Sequence, residues 1–215
     1  MKNIIIFDLD GTLLNTLDDL TDSTNFALKK FNFSTYTKKE IRNFVGNGVR
    51  KLIERALPDG SKNPYMEEVL KVFKENYKQN MYNKTAPYSG IIELLENLKE
   101  KGCKIAVVSN KFDAAVKELC QKYFPGLIDC AIGENEAGGI KKKPAPDTVF
   151  KAIEELGADI SNSIYVGDSD VDIQTAKNAK ISCISVTWGF RNKDFLIQNG
   201  AKIFVDKPED ILKYL

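Results

Sequence analysis

The stretch Ile4-Ile5-Ile6-Phe7-Asp8-Leu9-Asp10-Gly11-Thr12 decides the fold of this 215-residue chain. Its first four residues are apolar and mostly β-branched, which predicts a short buried strand. Asp8 and Asp10 follow at positions i and i+2, so both side chains leave the strand end on one side. The glycine then allows a sharp turn. Because neighbouring buried carboxylates need a cation or a shared proton, the stretch indicates a metal site with acid–base or nucleophilic chemistry.

Two simpler interpretations of the same residues remain open here. Asp and Gly are common in solvated turns. A calcium loop is also rich in acidic residues, but its consensus places glycine at the sixth position, whereas Gly11 is fourth when counted from Asp8. The calcium interpretation is therefore disfavoured.

Composition places the chain among ordinary globular proteins, with 43% hydrophobic and 28% charged residues. The net charge is +1, without a basic or acidic block, so we expect neither a nucleic-acid nor a membrane partner. The N-terminal apolar run is too short for a signal peptide, and no stretch approaches the roughly 18 apolar residues of a membrane span. Four scattered cysteines fit reduced thiols, which favours a cytoplasmic protein.

The sequence contains no histidine. Catalytic triads that use histidine are therefore excluded, as are zinc sites built on it. Proton transfer near neutral pH falls to carboxylates, Lys, Tyr, Cys or metal-bound water.

The order of predicted elements indicates an α/β core interrupted by a helical insertion. Between residues 16 and 83 the periodicity predicts helices only, at 17–31, 38–44, 48–57 and 65–82. From residue 88 onward strands and helices alternate, ending in a strand at 203–205 and a helix at 208–214, which is typical of a parallel sheet covered on both faces. We predict a core of residues 1–14 and 88–215 and a helical domain of residues 15–87, with hinges at 14–16 and 86–90.

Polar residues follow several of the predicted strands. Ligands bind at the carboxyl ends of strands in open parallel sheets. Besides Asp8 and Asp10, that edge receives Ser109-Asn110-Lys111 after the strand 104–108, and Gly167 to Asp172 after the strand 163–166. A basic loop, Lys141 to Pro146, lies between them in sequence. Together these carboxylates, hydroxyl, amide and lysine groups suit a hard cation such as Mg²⁺ beside a phosphate.

Each of these features also has a purely structural interpretation. Ser109 and Asn110 fit a helix cap, and Asp168 and Asp172 fit a helix N-cap with a solvated acid in the first turn. A run of three lysines is usually a solvated loop. Their convergence on one edge of one sheet favours the site.

The chain resembles the haloacid dehalogenase superfamily, and within it the phosphoglycolate phosphatase-like hydrolases with a helical cap. Four motifs occur in order over essentially the whole chain. They are Asp-x-Asp-Gly-Thr at residues 8–12, Ser109 after the next core strand, Lys-Pro-x-Pro at residues 143–146, and Gly-Asp-Ser-x-x-Asp at residues 167–172. The resemblance implies a Rossmann-like, doubly wound, mostly parallel sheet core with an inserted α-helical cap domain.

The resemblance also implies a role for each motif residue. Asp8 is the implied nucleophile, which forms an aspartyl-phosphate, and Asp10 is the implied general acid and then base. Ser109 and the backbone of Asn110 would bind the phosphoryl oxygens, and Lys143 would neutralise their charge. The implied Mg²⁺ ligands are a side-chain oxygen of Asp8, the Asp10 carbonyl and Asp168, with Asp172 as a supporting acid. Gly11 would allow close approach of the backbone.

Asp10 favours a phosphatase over a dehalogenase. Halide leaves without a proton, whereas the alkoxide of a phosphate ester needs one, and true dehalogenases lack the second aspartate.

In the cap, residues 44–52 resemble the Gly-x-Gly loop and following helix of phosphoglycolate phosphatases. This predicts that Gly46, Asn47, Gly48 and Arg50 bind substrate; a capped helix with solvated basic residues is the alternative.

We therefore expect a Mg²⁺-dependent phosphatase of small phosphorylated metabolites, with 2-phosphoglycolate as one candidate. A phosphomutase, pyrophosphatase or nucleotidase on the same fold is the alternative, although related phosphomutases usually carry a cap-hinge histidine. A non-catalytic binding protein is the remote alternative. We expect a monomer or weak dimer.

Overall fold

The computed structural model describes residues 2–215, which form two compact units. One unit contains the N-terminal segment up to Leu14 together with Pro87–Leu215, and the other is Asn15–Ala86. These bounds lie within one residue of the domains predicted from sequence. The strands are β1 (Ile4–Phe7), β2 (Leu14–Asn15), β3 (Ala86–Pro87), β4 (Lys104–Phe112), β5 (Cys130–Glu134), β6 (Ser163–Gly167), β7 (Ser182–Val186) and β8 (Ile203–Val205). The helices are α1 (Leu17–Lys30), α2 (Lys38–Phe44), α3 (Val49–Ala56), α4 (Met66–Asn80), α5 (Ile91–Glu100), α6 (Asp113–Tyr123), α7 (Asp147–Glu155), α8 (Asp170–Asn178) and α9 (Lys193–Gln198).

The core is a six-stranded sheet in the order β5-β4-β1-β6-β7-β8. Every neighbouring pair is parallel, so the predicted α/β fold is confirmed. β1 lies at the centre between β4 and β6, and all four of its residues are buried. An apolar strand covered on both faces is the arrangement that a continuous run of Ile and Phe favours. The carboxyl end of β1 thus opens at the middle of the sheet edge.

The structure differs from the sequence predictions at three places in the core. The strand predicted at 104–108 continues to Phe112, because the chain still pairs with β5 after an irregularity between Val108 and Phe112. The predicted terminal helix is a 3₁₀ helix, Pro208–Tyr214, a tighter turn that suits a short segment opening with proline. Helix α9 was not predicted, although Asn192 caps it by accepting a hydrogen bond from the Phe195 N–H.

The helical unit contains α1 to α4, and the carboxylate of Asp19 in α1 is buried within it. The Asp19 carboxylate accepts hydrogen bonds from the backbone N–H groups of Lys84 and Thr85 at 2.8–3.0 Å. These two residues directly precede β3, which forms a separate two-stranded sheet with β2 where the chain passes between the units. Within residues 2–215, no helix has the length and apolarity that a membrane crossing requires.

Candidate active site

Strands β1 and β6 place three aspartates at the centre of the sheet edge. Asp8 follows β1, and its backbone N–H donates to the carbonyl of Val166 in β6. Asp168 follows the end of β6. Asp172 lies in the first turn of α8, where it completes a capping box with Ser169. One carboxylate oxygen from each of the three aspartates lies within 4.8 Å of the others.

Lys143 is the positive charge inside this cluster. Its Nζ lies 2.7 Å from Oδ1 of Asp8 and 2.8 Å from Oδ1 of Asp172, and it also donates to the Tyr165 hydroxyl at 3.2 Å. The Tyr165 hydroxyl in turn donates to Oδ1 of Asp172 at 3.0 Å. Three acceptors therefore match the three N–H donors of the ammonium group. The lysine side chain is only 3% exposed, so water does not screen these contacts.

The pKa values of the cluster reflect crowded buried charge. Burial raises the pKa of Asp8 well above its usual range, and Asp172 and Asp168 raise it further, while Lys143 opposes them. Burial and the charge of Asp172 likewise raise the pKa of Asp168, to about 7. Burial would lower the pKa of Lys143, but the charges of Asp172 and Asp8 outweigh it and raise the pKa.

The pKa shifts of Asp8 and Lys143 imply opposite charge states for Asp8. Its raised pKa favours a neutral carboxyl group, whereas the raised pKa of Lys143 requires negative neighbours. We favour the ionised pair, because the 2.7 Å contact is that of a charge-assisted hydrogen bond. A second cation in the cluster would lower the pKa of every carboxyl group around it.

The donor set fits a divalent cation. Three carboxylates against one ammonium leave two negative charges uncompensated within the cluster when all are ionised. Carboxylate oxygens are the ligands that hard cations prefer. Asp168 is also fixed from several sides: its Oδ2 accepts from the Phe190 N–H at 2.6 Å and its Oδ1 from the Thr12 hydroxyl at 3.3 Å. The chemistry and the rigidity both suit a metal site.

Two glycines make room for Asp168. A Cβ atom on Gly11, whose φ is +94°, would lie 2.5 Å from Oδ2 of Asp168. A Cβ atom on Gly189 would overlap the Cβ of Asp168 and lie 2.5 Å from its Oδ2. Gly11 was predicted to allow close backbone approach, whereas no role was predicted for Gly189.

Asp10 is not one of the three clustered aspartates. Its Oδ1 lies 3.0 Å from Nζ of Lys111, and its Oδ2 lies 3.5 Å from the Ser109 hydroxyl. Different lysines thus contact the two aspartates of the opening motif. Asp8 contacts Lys143 beside two other carboxylates, whereas Asp10 contacts Lys111 and Ser109 of β4.

Asn110 fixes the backbone of Lys143. Its Oδ1 accepts from the Lys143 N–H at 2.7 Å, and its Nδ2 donates to the Lys143 carbonyl at 3.0 Å. The sequence predicts only a substrate contact for the Asn110 backbone. The side chain adds a connection between β4 and the lysine loop, which residue spacing does not reveal.

A protein-family model described as haloacid dehalogenase-like hydrolase matches residues 5–186. The chain belongs to this hydrolase family. The Aquifex aeolicus phosphoglycolate phosphatase is 33% identical over 213 residues, which cover 99% of this chain and 96% of that protein. The Agrobacterium fabrum phosphoglycolate phosphatase is 35% identical over 202 residues, which cover 88% of this chain and 82% of that protein. A crystal structure assigned as a phosphoglycolate phosphatase, from Lactobacillus delbrueckii subsp. bulgaricus, is 38% identical, with a TM-score of 0.94 over 100% of this chain and 98% of that one.

The hydrolase is accordingly a phosphatase, and its acidic cluster is that of a metal-dependent enzyme. The predicted family is confirmed. A small phosphate ester is the class of substrate that this activity requires.

Four of the predicted substrate-binding residues of the phosphatase, Gly46, Asn47, Gly48 and Arg50, lie in its helical unit, whereas Gly11 and Asn110 lie in the core unit. Gly46 and Gly48 have φ values of 118° and 84°, which favour glycine. Arg55, which sequence analysis did not single out, anchors this loop by donating to the Phe44 carbonyl and to Oδ1 of Asn47. Arg50 makes two 2.7 Å hydrogen bonds to the Glu67 carboxylate. Arg50 is thus paired with a carboxylate of its own unit, and the exposed guanidinium keeps further N–H donors for a second anion.

Replacement of Gly189 by alanine tests the packing around Asp168. We expect the added methyl group to displace the carboxylate and to raise the Mg²⁺ concentration for half-maximal activity about tenfold or more. Titration of phosphatase activity with Mg²⁺ measures the shift, and excess Mg²⁺ should restore part of the rate. A loss of rate at saturating Mg²⁺ with an unchanged midpoint would contradict this role of Gly189.

Proposed function

We propose that this phosphatase hydrolyses small phosphate monoesters through an aspartyl-phosphate on Asp8, with Mg²⁺ as its metal and 2-phosphoglycolate as its foremost candidate substrate. The observation that carries the proposal is that two neighbouring carboxylates contact different lysines. Asp8 lies in the metal-suited cluster with Lys143, and Asp10 lies outside it beside Lys111 and Ser109. Such a pair supplies a nucleophile and an acid–base group.

The proposed reaction has two displacements. In the first, an oxygen of Asp8 attacks phosphorus, the bond between phosphorus and the ester oxygen breaks, and Asp10 donates a proton to the departing oxygen. In the second, water attacks the same phosphorus, Asp10 takes a proton from the water, and the bond to Asp8 breaks. The products are the alcohol and inorganic phosphate, and both aspartates return to their starting states.

Ser109, Asn110 and Lys143 are proposed to stabilise the transferring group. The Ser109 hydroxyl and the Asn110 backbone N–H donate to phosphoryl oxygens in this proposal. The ammonium of Lys143 donates to another phosphoryl oxygen in place of one of its present acceptors. Donors fixed before the reaction stabilise developing charge without further reorganisation, and Asn110 fixes Lys143 in this way.

Mg²⁺ is proposed as the cation of the aspartate cluster. Its ligands would be the carboxylates of Asp8 and Asp168 and the backbone carbonyl of Asp10, with Asp172 acting through water. The bound ion would reduce the repulsion between the Asp8 carboxylate and the phosphoryl group.

Several observations support 2-phosphoglycolate as the candidate. Relatives at 33% and 35% identity bear the name phosphoglycolate phosphatase. The loop of Gly46, Asn47 and Gly48 precedes α3, whose N-terminus has no side-chain cap, and a helix N-terminus is suited to an anion; Arg50 lies in the first turn. These four residues stay predicted substrate contacts. The cytoplasmic location and the monomeric or weakly dimeric state also stay predictions.

Phosphate release with excess Mg²⁺ tests the proposal. The panel contains 2-phosphoglycolate, sugar phosphates, nucleotides and pyrophosphate, compared by kcat/KM. We expect the highest value for 2-phosphoglycolate. A flat profile or another preferred ester would overturn the substrate and keep the phosphatase chemistry. Unchanged activity in the presence of a chelator would overturn the metal.

Asp10→Asn tests the proposed acid. The loss of kcat/KM should reach about 10²-fold or more for an alkyl phosphate, because its alkoxide needs a proton. The loss should be much smaller for p-nitrophenyl phosphate, whose phenolate is a good leaving group. Steady-state kinetics on both esters measures the difference. Equal losses would remove Asp10 from the role of leaving-group acid.

A further inference from the structure

Lys111 is a buried lysine to which the proposed reaction gives no role. Its side chain is only 2% exposed, and its Nζ lies 3.0 Å from Oδ1 of Asp10. Burying an ammonium group costs free energy unless negative or polar partners compensate it. The phosphatase thus places one lysine against the proposed nucleophile and a second lysine against the proposed acid.

We infer that Lys111 is a positioning residue that orients the Asp10 carboxyl group toward the departing oxygen; the inference rests on the proposed function. The ammonium holds Oδ1 and so restricts rotation of the carboxyl group. Oδ2 then faces Ser109, whose hydroxyl lies 3.5 Å away. Because Ser109 is proposed to bind the phosphoryl group, this orientation keeps Oδ2 close to the bond that breaks.

The course of β4 explains how consecutive residues serve two parts of the site. Side chains of an extended chain alternate between its two sides. Ser109 and Lys111 both contact Asp10, whereas Asn110, between them, contacts the backbone of Lys143. The Lys111 N–H also donates to the Ser109 hydroxyl at 3.2 Å. The short segment Ser109-Asn110-Lys111 therefore positions the acid through its outer residues and the phosphate-binding lysine through its middle one.

Lys111→Met tests the inference, since it keeps an unbranched side chain only one atom shorter and removes the charge. We expect kcat/KM to fall about 10²-fold for an alkyl phosphate and less than about threefold for p-nitrophenyl phosphate. Asp10→Asn combined with Lys111→Met should be no slower than Asp10→Asn alone. Lys117→Met, a change at an exposed lysine of α6 that pairs with Asp113, is the matched control and should leave both rates unchanged.

A purely structural role for Lys111 gives a different pattern. Lys111→Met would then slow both esters equally, and its effect would multiply with that of Asp10→Asn; either result overturns the inference and leaves the proposed function intact. If Asp10→Asn itself shows no leaving-group dependence, the acid role and the inference fall together. Should Lys111→Met not fold, Lys111→Gln, which keeps a hydrogen-bond donor, is measured on the same two esters.

Discussion

Asp8→Asn is expected to lower kcat by about 10⁴-fold or more, because it removes the group on which the phosphoryl intermediate is proposed to form. The amide matches the carboxylate in shape but is a far weaker nucleophile. Wild-type protein quenched in acid during turnover of a labelled substrate should retain labelled phosphate, and the variant should retain none. Substantial activity or labelling in the variant would contradict covalent catalysis by Asp8.

The same variant should fold at least as well as the wild type without metal. Burial and two neighbouring carboxylates raise the pKa of Asp8, so its ionised form destabilises the metal-free fold. A raised pKa in the folded state means that this cost appears as the pH rises above the ordinary value of 3.8. Asp8→Asn removes the titrating group and should weaken the pH dependence of unfolding. Added Mg²⁺ should stabilise the wild type more than the variant.

The sheet could be predicted from sequence because its signal is local. The run Ile4–Phe7 is apolar throughout, and the strands after residue 88 alternate with helices of clear periodicity. The extension of β4 to Phe112 could not be predicted, because its polar residues resemble a loop in sequence. Val108 and Phe112, on either side of these polar residues, pair with β5, and that contact is distant in sequence.

In the candidate site, likewise, the types of residue could be predicted from sequence but the partners of their side chains could not. Asp8 could be placed at the sheet edge because it directly follows a strand, whereas Lys143 lies in a loop and was assigned to the site only through the resemblance of residues 143–146 to a family motif. The pairing of Asp10 with Lys111, and the clamp of Asn110 on Lys143, depend on side-chain geometry that no spacing rule specifies. Gly189 was missed for a similar reason, since only the packed position of Asp168 shows that a side chain there would collide.

Lys143→Met is expected to harm both activity and stability, unlike Asp8→Asn. Without the ammonium group, kcat should fall about 10²- to 10³-fold, the usual effect of removing one donor to developing negative charge. Asp8 and Asp172 would also lose the positive partner at 2.7 and 2.8 Å, and breaking such a buried pair costs about 3–5 kcal/mol. Chemical denaturation of metal-free protein measures that loss.

A second substitution separates the two effects of Lys143. Asp172→Asn combined with Lys143→Met removes one negative charge along with the positive one, so most of the lost stability should return while the activity stays low. Lys142→Met is the matched control, because Lys142 is 38% exposed and pairs with Glu136 at 3.2 Å, where water screens the charge. If Lys143→Met unfolded at the same denaturant concentration as the control, the buried ammonium would not be what holds the three carboxylates together. The rate loss would then belong to phosphoryl binding alone.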